Sequence, residues 1–126
     1  MKLLLDTHVM LWAMTDDPRL SGTAREQMQA ADAVYVSAAS LWEIAMKAGL
    51  GKIEVEVAEL TRQLYLAGFQ ELPVTWQHTL KVGSLPNHHK DPFDRLLIAQ
   101  ALSEPLRLLT ADRQLPAYSS DLVTLV

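Results

Sequence analysis

Short apolar runs alternate with segments of helical periodicity along almost the whole chain, and this alternation restricts the fold more than any other feature of the sequence. Five runs are typical of strands, at 2–5, 33–36, 72–74, 107–109 and 122–125. The segments between them repeat apolar residues at the spacing of a helix. Strands separated by helices need crossover connections, which produce a mostly parallel sheet with helices on both faces. We therefore predict a three-layer α/β/α fold.

Length and composition restrict the kinds of site that the chain can carry. Its 126 residues fit one domain, 1–126, and its 49% hydrophobic and 21% charged residues are typical of a soluble globular protein. Because the chain has no cysteine, any bound metal must be held by oxygen atoms or histidine. The apolar run before Asp6 is too short for a signal segment or a membrane span. We expect a cytoplasmic protein with no membrane association.

The net charge of −4 argues against a broad basic surface that would bind phosphates without specificity. Bound divalent cations would weaken this objection, because each cation reverses the local sign of the charge. Charge alone therefore neither requires nor excludes a nucleic-acid substrate.

Acidic residues follow two of the predicted strands. Asp6 comes directly after the first strand and Asp112 comes shortly after the fourth. The carboxyl ends of parallel strands meet at one edge of a sheet, where such folds bind ligands. Each residue could instead be the N-cap of the following helix or turn. If the carboxylates converge, they form an oxygen-only site that suits Mg²⁺ or Mn²⁺.

Asp94 has the strongest case from its own surroundings. It falls on the same helical stripe as Leu97 and Ile98, so its carboxylate points toward the sheet, where a charge needs a partner. Asp91 precedes Pro92 and supplies the helix N-cap, so we interpret Asp91 as structural. Asp94 could also neutralise the helix dipole, but we favour a functional role.

Glu43 and the histidines have ordinary structural explanations. Ser40 and Glu43 match a capping box, and Glu43 and Lys47 have the spacing of a helical ion pair. His88 and His89 lie in a polar loop, where we expect solvation rather than a ligand. His8 could touch a ligand, although packing is the commoner role. His78 falls on a predicted surface helix and gives no signal.

Four stretches together resemble PIN domains of the VapC toxin type: LLLDTHVMLWA, SAASLWEIAMKAGLGK, HHKDPFDRLLIAQA and LLTADRQL. The resemblance runs almost from end to end. It implies an α/β/α nuclease whose metal ligands are Asp6, Glu43, Asp94 and Asp112. Glu43 enters the set mainly through this resemblance. Thr7 and Thr110 match polar positions near such sites.

The resemblance also implies activity and partners. It predicts a Mg²⁺-dependent endoribonuclease, with Mn²⁺ as a substitute, that cleaves RNA, forms a homodimer and is inhibited by a cognate VapB-type antitoxin. One or two ions would activate the attacking water and stabilise the leaving oxygen. The basic residues near the proposed ligands could steer the RNA: Lys47, Lys90, Arg95 and Arg113. They could equally serve as solubilising charge.

Large apolar side chains near the predicted site suggest an antitoxin groove formed by Trp12, Trp42 and Met46. Core packing is the alternative, above all for Trp12. Two other functions remain open. The chain could be a catalytically silent PIN-like binding module whose carboxylates only cap helices, or a small metal-dependent phosphatase. An aspartyl phosphatase would need a second aspartate where His8 stands, and this disfavours it.

Overall fold

The computed structural model describes residues 1–126 and consists of strands and helices that largely alternate. In chain order the elements are β1 Lys2–Leu5, α1 Thr7–Met14, α2 Gly22–Ala30, β2 Ala33–Ser37, α3 Ala38–Gly49, α4 Val57–Leu66, β3 Gln70–Leu72, α5 Trp76–Gly83, α6 Pro92–Ser103, β4 Arg107–Thr110, a 3₁₀ turn Leu115–Tyr118 and β5 Val123–Leu125. None of the helices combines the length and the apolarity that crossing a membrane requires.

All five strands are parallel and lie in the order β3-β2-β1-β4-β5. The central strand β1 pairs with β2 on one side and with β4 on the other. The chain therefore reverses its direction of winding between β1 and β4, and parallel sheets leave a crevice at the carboxyl ends of such a strand pair. Asp6 follows β1 at this crevice, and Thr110 ends β4 there.

Side chains of the central strand alternate between two cores, one on each face of the sheet. Leu3 and Leu5 belong to a core that α1, α2, α3 and α4 cover, whereas Leu4 belongs to a core covered mainly by α6. Leu109 and Leu108 of β4 divide in the same way. This alternation follows from the two-residue period of a strand. The predicted three-layer α/β/α fold is confirmed.

One strand was placed two residues too late by the sequence pattern. The predicted strand at 72–74 is β3, Gln70–Leu72. Proline has no backbone N–H to donate to a neighbouring strand, so Pro73 ends the strand at Leu72. Val74 lies beyond the sheet and is exposed. The apolar run therefore marked the end of the strand rather than its centre.

One interpretation of a helix start is wrong, and the burial of one histidine was not predicted. The N-cap of α3 is Ser37, whose Oγ accepts a hydrogen bond from Ala39 N–H at 3.0 Å, so Ser40 and Glu43 do not form a capping box. The predicted surface helix that carries His78 is α5, but the His78 side chain itself is buried. It forms a capping box with Thr75 at the start of α5, and its Nε2 lies 2.6 Å from Glu104 Oε2. Both differences arose because a local pattern does not reveal what covers a helix.

Candidate metal centre

Asp6 joins the central strand to the first helix and is both an N-cap and part of the crevice. Its Oδ1 accepts a hydrogen bond from Val9 N–H at 2.8 Å, which caps α1. Its Oδ2 accepts a hydrogen bond from the hydroxyl of Thr110, at the end of β4. Burial raises the pKa of the Asp6 carboxyl above its usual range, although both hydrogen bonds act in the opposite direction. The capping explanation is therefore correct for Asp6, but it leaves Oδ2 directed at the crevice side.

Glu43 is buried on α3, next to the loop that carries Asp6. Its Oε1 accepts a hydrogen bond from Thr7 Oγ1 at 2.8 Å, and Thr7 is the residue after Asp6. Its Oε2 accepts from Lys47 Nζ at 2.7 Å, so the predicted helical ion pair is confirmed. Thr7 Oγ1 also lies 3.0 Å from Ser40 Oγ. The contact with Thr7, which no local pattern predicts, connects Glu43 to the end of β1.

Asp94 and Asp112 meet around the ring of His89. His89 Nε2 lies 2.8 Å from Asp112 Oδ2 and 3.3 Å from Asp94 Oδ2. One possible ligand atom from each of the three residues lies within 4.8 Å of the others. Asp94 is the third residue of α6, where Asp91 caps the helix as predicted and accepts hydrogen bonds from Phe93 N–H and Asp94 N–H.

The charges of this region are poorly balanced. Burial raises the pKa of Asp94 to about 7, and the negative charges of Asp91, Asp6 and Asp112 add to the rise. Burial also raises the pKa of Asp112, but hydrogen bonds from Gln114 N–H and His89 outweigh it and leave that pKa below its usual range. Asp94 and the buried Asp6 are therefore the two carboxylates of this region whose charged forms are disfavoured.

These residues fit a divalent cation. Carboxylate oxygens are the ligands that Mg²⁺ and Mn²⁺ prefer, and a cation would relieve the repulsion that acts on Asp94. Among the acidic groups of the crevice, only Glu43 has a lysine or arginine in salt-bridge contact. The cluster of possible ligand atoms comprises Asp94, Asp112 and His89 and does not include Asp6 or Glu43. Asp6 is linked to the backbone of Asp112 through Thr110, and Glu43 is linked to the end of β1 through Thr7.

The basic residues predicted to steer RNA divide into two groups. The guanidinium of Arg95 binds backbone carbonyls, among them Pro86 O at 3.0 Å, so its contacts favour a structural role over RNA contact. Lys47 is paired with Glu43. Lys90 and Arg113 are exposed and remain candidates for RNA contact.

The three residues of the predicted antitoxin groove differ in their exposure. Trp12 is half-buried, packs against the first core and has the guanidinium of Arg19 5.0 Å above its ring, so it belongs to the core. Trp42 and Met46 are 59% and 43% exposed. The Trp42 ring meets Phe93 edge-on at 5.1 Å between ring centres. Of these three residues, only Trp42 and Met46 are exposed enough to contact a partner.

His89 is the residue that sequence reasoning missed. Its loop was expected to be solvated, but Asp91 N–H donates a hydrogen bond to His89 Nδ1 at 3.1 Å and holds the ring over the carboxylates. The one available signal was its position two residues before the N-cap of the helix that carries Asp94. The role of His8 was left open; its side chain is exposed, and its ring centre lies 6.3 Å from that of Trp12.

Comparison with known proteins agrees with this geometry. The family model described as PIN domain matches residues 3–120. Ribonuclease VapC22 of Mycobacterium tuberculosis is 32% identical over 118 residues, which are 92% of this chain and 91% of the relative.

Two solved structures resemble the fold at low identity. VapBC2 from Rickettsia felis, bound to a DNA fragment from its promoter, has a TM-score of 0.72 at 15% identity and covers 99% of this chain and 98% of the matched chain. VapBC-1 from nontypeable Haemophilus influenzae has a TM-score of 0.71 at 20% identity, with the same coverage of both chains. The chain therefore belongs to the PIN-domain family and, within it, to the VapC-type ribonucleases.

Proposed function

We propose that this chain is a Mg²⁺-dependent endoribonuclease that hydrolyses RNA phosphodiester bonds, with Asp6, Glu43, Asp94 and Asp112 as its metal ligands. One observation supports the proposal above the others: carboxylates from two strand ends and two helices are linked at the crevice through Thr7, Thr110 and His89. A bound divalent ion would lower the pKa of an attacking water and stabilise the leaving oxygen.

The chain's own residues prepare this chemistry. Asp6 is fixed by the start of α1 and by Thr110, so its carboxylate cannot turn away from the crevice. Thr7 holds one oxygen of Glu43 in the same way. Such preorganised groups need little rearrangement when a reaction develops charge. Exposed Lys90 and Arg113 flank the crevice in sequence and would bind phosphates of the RNA backbone.

Oxygen-rich ligands favour Mg²⁺, with Mn²⁺ as a substitute, and disfavour Zn²⁺, which prefers nitrogen and sulfur. We therefore expect Mn²⁺ to support cleavage and Zn²⁺ to support it poorly.

The proposal includes a protein partner. Two of the matched structures are VapBC complexes, and a third is a toxin-antitoxin complex from Klebsiella pneumoniae. We propose that this chain is the toxin of such a pair, that it acts in the cytoplasm as a homodimer and that a VapB-type antitoxin covers the exposed surface at Trp42 and Met46. A basic side chain of the antitoxin would enter the acidic crevice.

A catalytically silent binding module is the alternative. It gains some support because Asp6 and Asp91 cap helices, and because Asp112 Oδ1 accepts a hydrogen bond from Gln114 N–H. It does not explain why Asp94, which caps nothing, lies where its pKa rises to about 7. A phosphatase is disfavoured because His8 occupies the position of the second aspartate.

The test is cleavage of a single-stranded RNA by the purified chain before and after chelation with EDTA. We expect EDTA to stop cleavage, added Mg²⁺ or Mn²⁺ to restore it, and Asp94→Asn to abolish it while circular dichroism stays unchanged. Asp91→Asn is the matched control, because asparagine caps a helix as well as aspartate and the cap is retained. Cleavage that survives exhaustive chelation, or an Asp94→Asn protein with the wild-type rate, would contradict the proposal.

A further inference from the structure

The ring of His89 is held from both sides. Nδ1 accepts a hydrogen bond from the backbone N–H of Asp91 at 3.1 Å. Nε2 lies 2.8 Å from Asp112 Oδ2 and 3.3 Å from Asp94 Oδ2. The side chain is 17% exposed, so the protein rather than solvent determines the direction of the ring.

The hydrogen bond from Asp91 N–H determines which nitrogen of His89 carries the proton. A backbone N–H can only donate, so Nδ1 must accept with its lone pair. A neutral imidazole has one ring proton, which must then lie on Nε2. A nitrogen that carries a proton has no lone pair for a cation. His89 is therefore arranged to donate a hydrogen bond to the carboxylates and not to bind a metal itself.

The loop before α6 is held in place by Arg95. Its Nη1 donates to Pro86 O at 3.0 Å and to Tyr118 Oη at 3.1 Å, and it lies 3.4 Å from His89 O. Its Nη2 donates to Val82 O at 3.2 Å. These contacts attach the backbone of His89 to α5, α6 and the 3₁₀ turn. The backbone that carries the imidazole is therefore held in place.

Both carboxylate oxygens of Asp112 are in hydrogen-bond contact. Oδ1 accepts from Gln114 N–H at 2.9 Å, and Oδ2 faces His89 Nε2. We propose that His89 is a positioning residue whose Nε2–H donates to Asp112 and orients that carboxylate for metal binding. This inference rests on the proposed function, and it assigns to His89 the outer hydrogen bond that ligating carboxylates in proteins commonly receive.

The first experiment measures Mn²⁺ binding by isothermal titration calorimetry. We expect His89→Ala to weaken Mn²⁺ binding by about 10- to 100-fold, as loss of an outer hydrogen bond to a ligand typically does. His89→Gln should recover most of the affinity, because the glutamine amide can donate from nearly the position of Nε2. His88→Ala is the matched control in the same loop, and its affinity should equal that of the wild type. His89→Ala with wild-type affinity would overturn the inference.

The second experiment reads the ring directly in the wild-type protein, so it does not depend on a variant that folds. Nitrogen NMR of ¹⁵N-labelled protein should show the His89 proton on Nε2 both without metal and with Mg²⁺. Pulsed electron paramagnetic resonance of the Mn²⁺-loaded protein should show no nitrogen directly bonded to the ion. A proton on Nδ1, or a bonded His89 nitrogen, would overturn the positioning role. If the wild type binds no Mn²⁺ at all, the proposed function fails together with this inference, whereas loss of the His89 effect alone leaves the proposed function intact.

Discussion

The acidic crevice has two halves that the protein treats differently. The inner pair, Asp6 and Glu43, is 5% and 6% exposed, and each of its members accepts a hydrogen bond from a threonine hydroxyl. The outer pair, Asp94 and Asp112, has side chains that are 24% and 34% exposed and shares one histidine ring. Neutral hydroxyls of Thr7 and Thr110 hold the inner pair at the ends of β1 and β4, whereas the outer pair depends on the loop that carries His89.

The two pairs differ in how firmly they are held and in how their negative charge is balanced. Thr110 contacts both halves, because its hydroxyl donates to Asp6 and accepts a hydrogen bond from Asp112 N–H at 3.0 Å. Under the proposed function, the firmly held inner pair would determine where a cation lies. The outer pair contains Asp94, whose pKa is raised to about 7 by burial and by the negative charges of neighbouring carboxylates, so under the proposed function a cation bound there would relieve that repulsion.

The largest expected difference between the halves is at the two strand-end carboxylates, Asp6 and Asp112. Asp6→Asn should lower RNA cleavage by about 10³-fold, since a lost metal ligand removes several kcal/mol of transition-state stabilisation. Asp112→Asn should cost less, about 10- to 100-fold, because its carboxylate is more exposed. Cleavage rates at saturating Mg²⁺ compare the two variants. Equal losses would show that the two halves do not differ in function.

The next largest effect is expected on metal affinity, from loss of the Thr110 hydroxyl. Thr110→Val removes the donor to Asp6 with little change in shape, and we expect Mn²⁺ affinity to fall by about 10- to 100-fold. Thr61→Val is a suitable control, because its exposed hydroxyl binds only the carbonyl of Val57 on α4. Titration calorimetry should detect no change for the control. If Thr110→Val also retains full affinity, the hydroxyl contributes only to folding.

The sequence predicted the fold class, the parallel sheet and the strand-end position of Asp6 and Asp112, because alternation and strand ends are local properties. It placed β3 too late because the run at 72–74 is apolar on both sides of Pro73. Glu43 could not be found from its own surroundings, since its contact with Thr7 spans 36 positions of the chain. Its assignment depended on the family resemblance.

His78 and His89 were missed for the same physical reason. Each ring binds a carboxylate far along the chain, Glu104 for His78 and Asp112 for His89, and each accepts a nearby backbone N–H at Nδ1. The nearby hydrogen bond is visible as a possibility in the sequence, but the distant one needs the fold. Tertiary contacts of histidine therefore lie outside what periodicity can predict.

The two members of the outer pair should respond to pH in opposite directions in the absence of metal. Asp94 has a pKa of about 7 in the folded state against an ordinary value of 3.8, so between these values the folded protein binds more protons than the unfolded chain. Stability from Asp94 therefore falls as pH rises through this interval. In EDTA at pH 8, Asp94→Asn should raise the free energy of unfolding by about 1–2 kcal/mol, and the gain should vanish near pH 4.

Asp112 provides the internal comparison. Its folded pKa is lowered, so its contribution to stability is present above the ordinary value and is lost as pH falls through the lowered value. Asp112→Asn should therefore destabilise the metal-free protein at pH 8. Urea unfolding at pH 4 and pH 8 distinguishes the two signs. A loss of stability for both variants at pH 8 would contradict the assigned charge distribution.

The smallest expected effect on stability concerns Trp42, whose ring contacts a residue of α6. Trp42 precedes Glu43 on α3, Phe93 precedes Asp94 on α6, and the two rings meet edge-on at 5.1 Å. Because Trp42 is 59% exposed, Trp42→Ala should lower the free energy of unfolding by only about 0.5–1 kcal/mol, close to the value of one aromatic pair.

The same variant tests the proposed partner surface. Trp42→Ala should retain its nuclease activity and bind the antitoxin at least tenfold more weakly, about 1.4 kcal/mol, because exposed tryptophans are frequent anchors of interfaces. Tyr65→Ala is the control, since Tyr65 is 80% exposed on α4, a helix that carries none of the four carboxylates. Unchanged antitoxin affinity together with a large loss of thermal stability would assign Trp42 to the packing of α3 against α6. In that case the contact between Trp42 and Phe93, which lies beside both pairs in sequence, would be part of the protein's internal packing and not part of a surface that the antitoxin covers.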